Sequence, residues 1–176
     1  MLGLSALGAV HTGISVIAIV AGICALARDK AILTTNRLGW LYLSATTLAA
    51  VTALMIFRHG GFGIGHKFAV ATLAVVVLGL LAARTRLFGR FSRYVQAFFF
   101  SSTMLIHAIT GSAETLTRLP PETPLVTAAN AFVFQYIIAG LVILFAVLFA
   151  LQCRDLRREF VSIEGRRFDT GEKAKT

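Results

Sequence analysis

The sequence predicts an all-α bundle of five membrane-spanning helices, N-terminus outside and C-terminus in the cytoplasm. Three observations carry this. The 176-residue chain is 57% hydrophobic and only 14% charged, against about 25% charged in ordinary soluble domains. Its apolar residues gather into runs near the ~20 needed to cross ~30 Å of hydrocarbon. The basic residues between those runs fall on alternate loops, the asymmetry that sets orientation in a membrane.

The spans are expected at about residues 4–27, 38–57, 66–83, 94–113 and 126–151. The first ends in Ala25-Leu26-Ala27, which looks like a cleavage site. It lacks a basic leader, however, and is longer than a signal core, so it is read as a retained helix. Gly13 and Ala21-Gly22 on helix 1, with Ala45, Ala49, Ala50 and Ala53 on helix 2, allow close helix approach. Trp40, Tyr42 and Tyr94 sit where an aromatic belt would. On helix 4, Phe98, Phe99 and Phe100 point in successive directions, so one must face lipid or a partner subunit. Gly60, Gly61, Gly63 and Gly65 belong to a loop; no strand precedes them to make a phosphate cradle.

Of the 17 Lys and Arg residues, Arg28, Lys30, Arg37, Arg84, Arg86, Arg90, Arg93 and all those after Gln152 share one side. Only Arg58, Lys67 and Arg118 lie on the other. The positive-inside rule then makes the crowded side cytoplasmic, and an even number of spans would break the asymmetry. Residues 1–152 form the transmembrane bundle and 153–176 a basic tail, whose Arg154, Arg157 and Arg158 alternate with Leu156, Phe160 and Ile163 as if to lie along an anionic leaflet. The net charge of +9 therefore reads as topology and not as nucleic-acid binding, for which no basic patch interleaved with aromatics is present. Cys24 and Cys153 make neither a disulfide framework nor a metal motif.

All four histidines fall on the outer side of this topology: His11, His59, His66 and His107. Counted from the cytoplasmic ends at ~1.5 Å per residue, His11 lies ~24 Å and His107 ~20 Å up their helices, so they meet if helices 1 and 4 are neighbours. Gln135 on helix 5 falls at the same depth, with Asn130 above it and Thr12, Ser15 and Thr103 nearby. His107, Gly111, Glu114 and Arg118 are spaced to share one face of helix 4. Polar groups at this depth raise a functional-site hypothesis.

Four readings of that polar layer stand. His11 and His107 could be axial ligands of a b-type haem, as imidazoles on facing helices are elsewhere. His11, His59, His66 and His107 with Glu114 could hold a divalent metal, although no compact ligand motif is present. The same groups with Gln135, rimmed by Glu114 and Arg118, could form a pocket for a quinone, lipid or small solute, or a proton relay. Finally, they could simply hydrogen-bond between helices, a contact worth about 0.6 to 2 kcal/mol. No nucleophile with a positioned base and no paired carboxylates point to an enzyme. Isolated Ser and Thr are expected to bond their own backbone.

His11 with Gly13, Asn36-Arg37-Leu38-Gly39-Trp40-Leu41-Tyr42 at the start of helix 2, and Glu114-Thr115-Leu116-Thr117-Arg118-Leu119-Pro120 at the end of helix 4 resemble a family of uncharacterised bacterial multi-helix membrane proteins, a domain of unknown function. The resemblance spans helices 1 to 4. It implies a bacterial inner-membrane location and marks His11, Arg37, Gly39, Glu114 and Arg118 as positions of interest. Where this chain has Asn36 the family often has His, which argues against a metal or haem role for that loop. Three classes of function remain: a membrane-embedded binder of a cofactor or small ligand, a redox or transport component, and a structural or accessory subunit of a membrane complex or homo-oligomer.

Overall fold

A computed structural model describes residues 5–57, 61–85, 88–127 and 130–173, with side chains of the last helix described as far as Arg158. Among the described residues there are five α-helices: α1 (Ala6–Asp29), α2 (Arg37–Leu54), α3 (Ile64–Thr85), α4 (Ser92–Leu116) and α5 (Phe132–Lys173), with a short 3-10 turn, Gly89–Phe91, leading into α4.

Local chemistry starts and stops the first two helices. Ser5 caps α1 by accepting from the Gly8 amide, and Asn36 caps α2 by accepting from the Gly39 amide at 2.8 Å. Lys30 ends α1 in the left-handed region, φ 58, with its amide returning to the Leu26 carbonyl. Asp29 then ties the connection together, accepting two bonds from Arg28 at 2.8 and 2.9 Å and one from Asn36 at 2.9 Å. Inside the helices most hydroxyls turn back on the preceding turn: Thr12 bonds the Gly8 carbonyl, Thr47 that of Leu43, Thr72 that of Phe68 and Ser102 that of Phe98. This satisfies the hydroxyls without a partner helix, as expected from the sequence.

The first four helices pack as a square. Extensive contacts join α1 to α2, α2 to α3 and α3 to α4, a thinner contact between α4 and α1 closes it, and α5 packs on the outside against α4. Tyr42, Leu43, Phe100, Ile32, Ala21 and Ala25 make the core. Gly22 allows α1 to come close there, since a Cβ at this position would run into the Tyr42 ring and the Met104 sulfur. The α4–α5 seam is aromatic: Phe98 meets Phe145 and Phe149 edge-on at 6.2 and 5.4 Å. Of the three successive phenylalanines, Phe100 fills the core and Phe98 makes this seam.

Among the described residues, α1, α3 and Phe132–Arg158 of α5 are long and apolar enough to cross a membrane. Their outer faces expose large apolar side chains, such as Val16 and Val20 on α1, Val77 on α3, and Ile143 and Val147 on α5. Water would penalise that surface and lipid does not. The helices α2 and α4 fall short of this apolarity because they carry the polar side chains that meet in the centre.

Two boundaries move from the sequence reading. The fifth helix begins at Phe132 instead of Val126, because residues 117–127 fold back on the end of α4: the Leu125 amide bonds the Leu119 carbonyl and the Val126 amide that of Leu116. Prolines 120, 121 and 124 remove amide donors from that stretch and disfavour an earlier start. At the other end α5 runs unbroken to Lys173, so no break separates bundle from tail at Gln152. Its 42 residues span about 63 Å, twice the hydrocarbon thickness.

Candidate functional site

The polar layer lies across the diagonal of the square. Tyr42 and Thr46, one turn apart on α2, reach Thr103 and His107, one turn apart on α4. The Tyr42 and Thr103 hydroxyls are hydrogen-bonded to each other, and Thr46 Oγ1 lies 3.2 Å from His107 Nε2. Tyr42, Thr46 and Thr103 are fully buried and His107 is 9% exposed. Thr103 also donates to the Phe100 carbonyl at 2.7 Å. A hydroxyl has a single proton, so Tyr42 must be the donor of the bond between them. The Tyr42 and His107 rings meet edge to face, centroids 6.4 Å apart.

His11 is attached to the same helix. Its Nδ1 lies 3.0 Å from both the Ala49 carbonyl and Thr52 Oγ1. A carbonyl only accepts, so Nδ1 carries a proton and is the donor. The two imidazoles therefore do approach a common element, but it is α2, at Thr46 and at Ala49 on the next turn, and each is held by α2 and not by the other. The helices α1 and α4 are neighbours in the square, yet each imidazole turns to α2 for its hydrogen bond.

The other sequence candidates scatter. Gln135 is exposed on α5, which touches the bundle through α4, so it does not join the layer. Asn130 serves its own loop, accepting from the Thr127 amide at 2.6 Å. Glu114 and Arg118 form an ion pair across the end of α4, an exposed arrangement worth about 0–1 kcal/mol. His66 is buried between Phe57 and Phe62, ring centroids 4.7 and 4.9 Å away, and accepts from the Gly63 amide. His59 lies outside the described residues. Among the described residues no three His, Cys, Asp or Glu side chains converge as a metal site. Gly39 is needed for packing, since a Cβ there would strike the Leu33 backbone.

Three residues the sequence reading placed elsewhere, or did not single out, belong to the polar framework. Tyr42, expected in an aromatic belt, is at the centre. Thr46 is the partner of His107. Gln152, the last residue before the expected tail, is 6% exposed; it accepts from Ser101 at 2.9 Å and donates to the Lys30 carbonyl at 2.8 Å. A polar residue two positions before the Arg154 cluster gives no local sign of burial.

For the two imidazoles to ligate one haem iron, Nε2 of each would have to face a shared space between the helices. His107 Nε2 is instead engaged by Thr46, and Tyr42 packs beside it. The arrangement defines a helical bundle of membrane character with a hydrogen-bonded polar core. Comparison with family models, curated proteins and solved structures finds no match for this chain.

Proposed function

We propose that the chain is a multi-pass integral membrane protein, crossing five times with its basic end in the cytoplasm of a bacterial cell, and that it serves as a structural or accessory subunit of a membrane assembly. In this reading His11 and His107 lock α1 and α4 onto α2 and carry no cofactor. The observation that supports it is the engagement of His107 Nε2, the nitrogen through which an imidazole would reach a haem iron, by Thr46. Further support comes from the mutual satisfaction of Tyr42 and Thr103.

The test combines a spectrum with a double-mutant cycle. Detergent-purified protein, oxidised and dithionite-reduced, should show no b-type absorption and no stoichiometric metal. Thr46→Val and His107→Leu should each lower unfolding stability, with a coupling of about 0.6–1.7 kcal/mol between them. A reduced-state band lost in His11→Ala or His107→Ala would replace this reading with that of a haem protein.

A further inference from the structure

Side-chain contacts fix the relative heights of α1, α2 and α4. The three helices meet at Gly22, where an added Cβ would run into the Met104 sulfur of α4 and the Tyr42 ring of α2. Moving from that level towards the end away from the basic connections, at ~1.5 Å per residue, Ser15 and His11 lie ~10.5 and ~16.5 Å up α1, and His107 and Gly111 ~4.5 and ~10.5 Å up α4. Ser15 therefore stands level with Gly111. Ser15 and His11 are one turn apart on one face of their helix, as are His107 and Gly111 on theirs.

Around and below the Gly22 level the seam between α1 and α4 is closed, with Ala18, Ala21, Ala25, Phe100 and Thr103 all buried. Above it the seam opens. Exposure rises along one face of α4, from Thr103 through His107 to the half-buried Gly111 and the exposed Glu114, and Ser15 and His11 across from it are half-buried. A Cβ added at Gly111 would meet nothing within 4 Å. The contact between α1 and α4 is the thinnest of the four that make the square.

Three polar atoms on these faces have no hydrogen-bond partner among the described residues. They are Nε2 of His11, whose ring is held through Nδ1; Nδ1 of His107, whose ring is held through Nε2; and Oγ of Ser15, which, unlike the hydroxyls of Thr12 and Thr110, does not turn back on its own helix. None of the three is closed off from the surface, in contrast to His66 Nε2 and Ser92 Oγ. Hydrocarbon cannot satisfy an imidazole nitrogen or a hydroxyl, and leaving one unpaired at membrane depth is costly. Water satisfies such groups wherever it has room and several polar partners.

We propose that the half of the α1–α4 seam beyond Gly22 is a water-filled vestibule, open at the Glu114 end and floored by Tyr42, Met104 and the α1 alanines. It admits water and small hydrophilic solutes to His11, Ser15 and His107 from one side of the membrane only. The proposal rests on the preceding reading for the membrane setting and for which side is outside, and it takes the imidazole nitrogens that do not bond α2.

The test is cysteine labelling of the full chain in its membrane, with Cys24→Ala and Cys153→Ala removing the native thiols. A membrane-impermeant trimethylammonium methanethiosulfonate is applied to spheroplasts and, separately, to inverted vesicles. The control is Val16→Cys, beside Ser15 but 52% exposed on the outward face of α1. From the outer face Ser15→Cys and Gly111→Cys should react at least about tenfold faster than Val16→Cys, because the thiolate is the reacting form and apolar surroundings suppress it. Simple exposure of the side chain, without a vestibule, would give the opposite order. Gly111→Leu should fill the space opposite Ser15 and slow the labelling of Ser15→Cys. Rapid labelling of the same two positions from inverted vesicles alone would keep the vestibule and overturn the orientation. Labelling of both no faster than that of Val16→Cys from either side, or labelling of Ser15→Cys indifferent to Gly111→Leu, would overturn the proposal.

Discussion

Buried hydroxyl pairs lose different amounts depending on which partner is removed, and Tyr42–Thr103 makes the difference measurable. Thr103 already donates to the Phe100 carbonyl, so Tyr42→Phe takes away one bond and strands nothing. The cost should be about 0.5–1.5 kcal/mol. Thr103→Val keeps the shape but leaves the fully buried Tyr42 hydroxyl without its acceptor, for about 1–3 kcal/mol. Denaturation in mixed micelles should therefore rank Thr103→Val as the more damaging change, and the reverse order would show that the proton sits on Thr103. None of this was legible in the residues themselves. Tyr42 follows Arg37 and Trp40 in a stretch whose local pattern is that of an interfacial belt, and its partner is 61 positions away.

At the scale of the helix, hydropathy is a local property, and the helices could be read from it: an apolar run with no proline has to satisfy its backbone internally once in lipid. Partner choice is not local. Depth along a helix said only that His11 and His107 could meet; rotation about the axis decided that both would bond α2. The clearest miss is Gln152, whose two partners, Ser101 and Lys30, lie 51 and 122 positions away. It joins α5 to α4 and to the α1–α2 connection at once, while the rest of the seam is carried by Phe98, Phe145 and Phe149. Gln152→Leu should strand the Lys30 carbonyl and the Ser101 hydroxyl, lowering stability by about 1–3 kcal/mol. Because α5 touches the bundle along one side only, the loss should appear first as faster proteolysis near the basic end of α5. Uniform loss of protection across all helices would instead mean that α5 and the square unfold as one unit.

For the molecule as a whole, the distribution of charge and of polarity answer different questions. Polar side chains concentrate on α2 and α4, the diagonal pair, while α1, α3 and α5 turn apolar surfaces outward. That division explains why three helices meet the criterion for a span although all five stand in one bundle. In the proposed five-span arrangement the enclosed polar diagonal keeps α2 and α4 at the depth of the other helices, since displacing either would break the Thr46–His107 and Tyr42–Thr103 bonds. Charge then selects the direction. Arg28, Lys30, Arg37, Arg84, Arg90, Arg93, Arg154, Arg157 and Arg158 lie in or beside the α1–α2 and α3–α4 connections and the end of α5, whereas among the described residues Lys67 and Arg118 lie at the opposite end. Segments this short are those in which basic residues govern orientation. A fluorescent reporter fused after Thr176 should thus mature in the cytoplasm, and an alkaline phosphatase reporter fused within residues 120–125 should be active outside it. Replacing Arg28, Lys30 and Arg37 by Gln while adding lysines beside Arg118 should raise the fraction of inverted chains. If the C-terminal reporter were dark and the phosphatase fusion inactive in the unmodified chain, the basic end would face outward, and the charge rule would have failed for this protein.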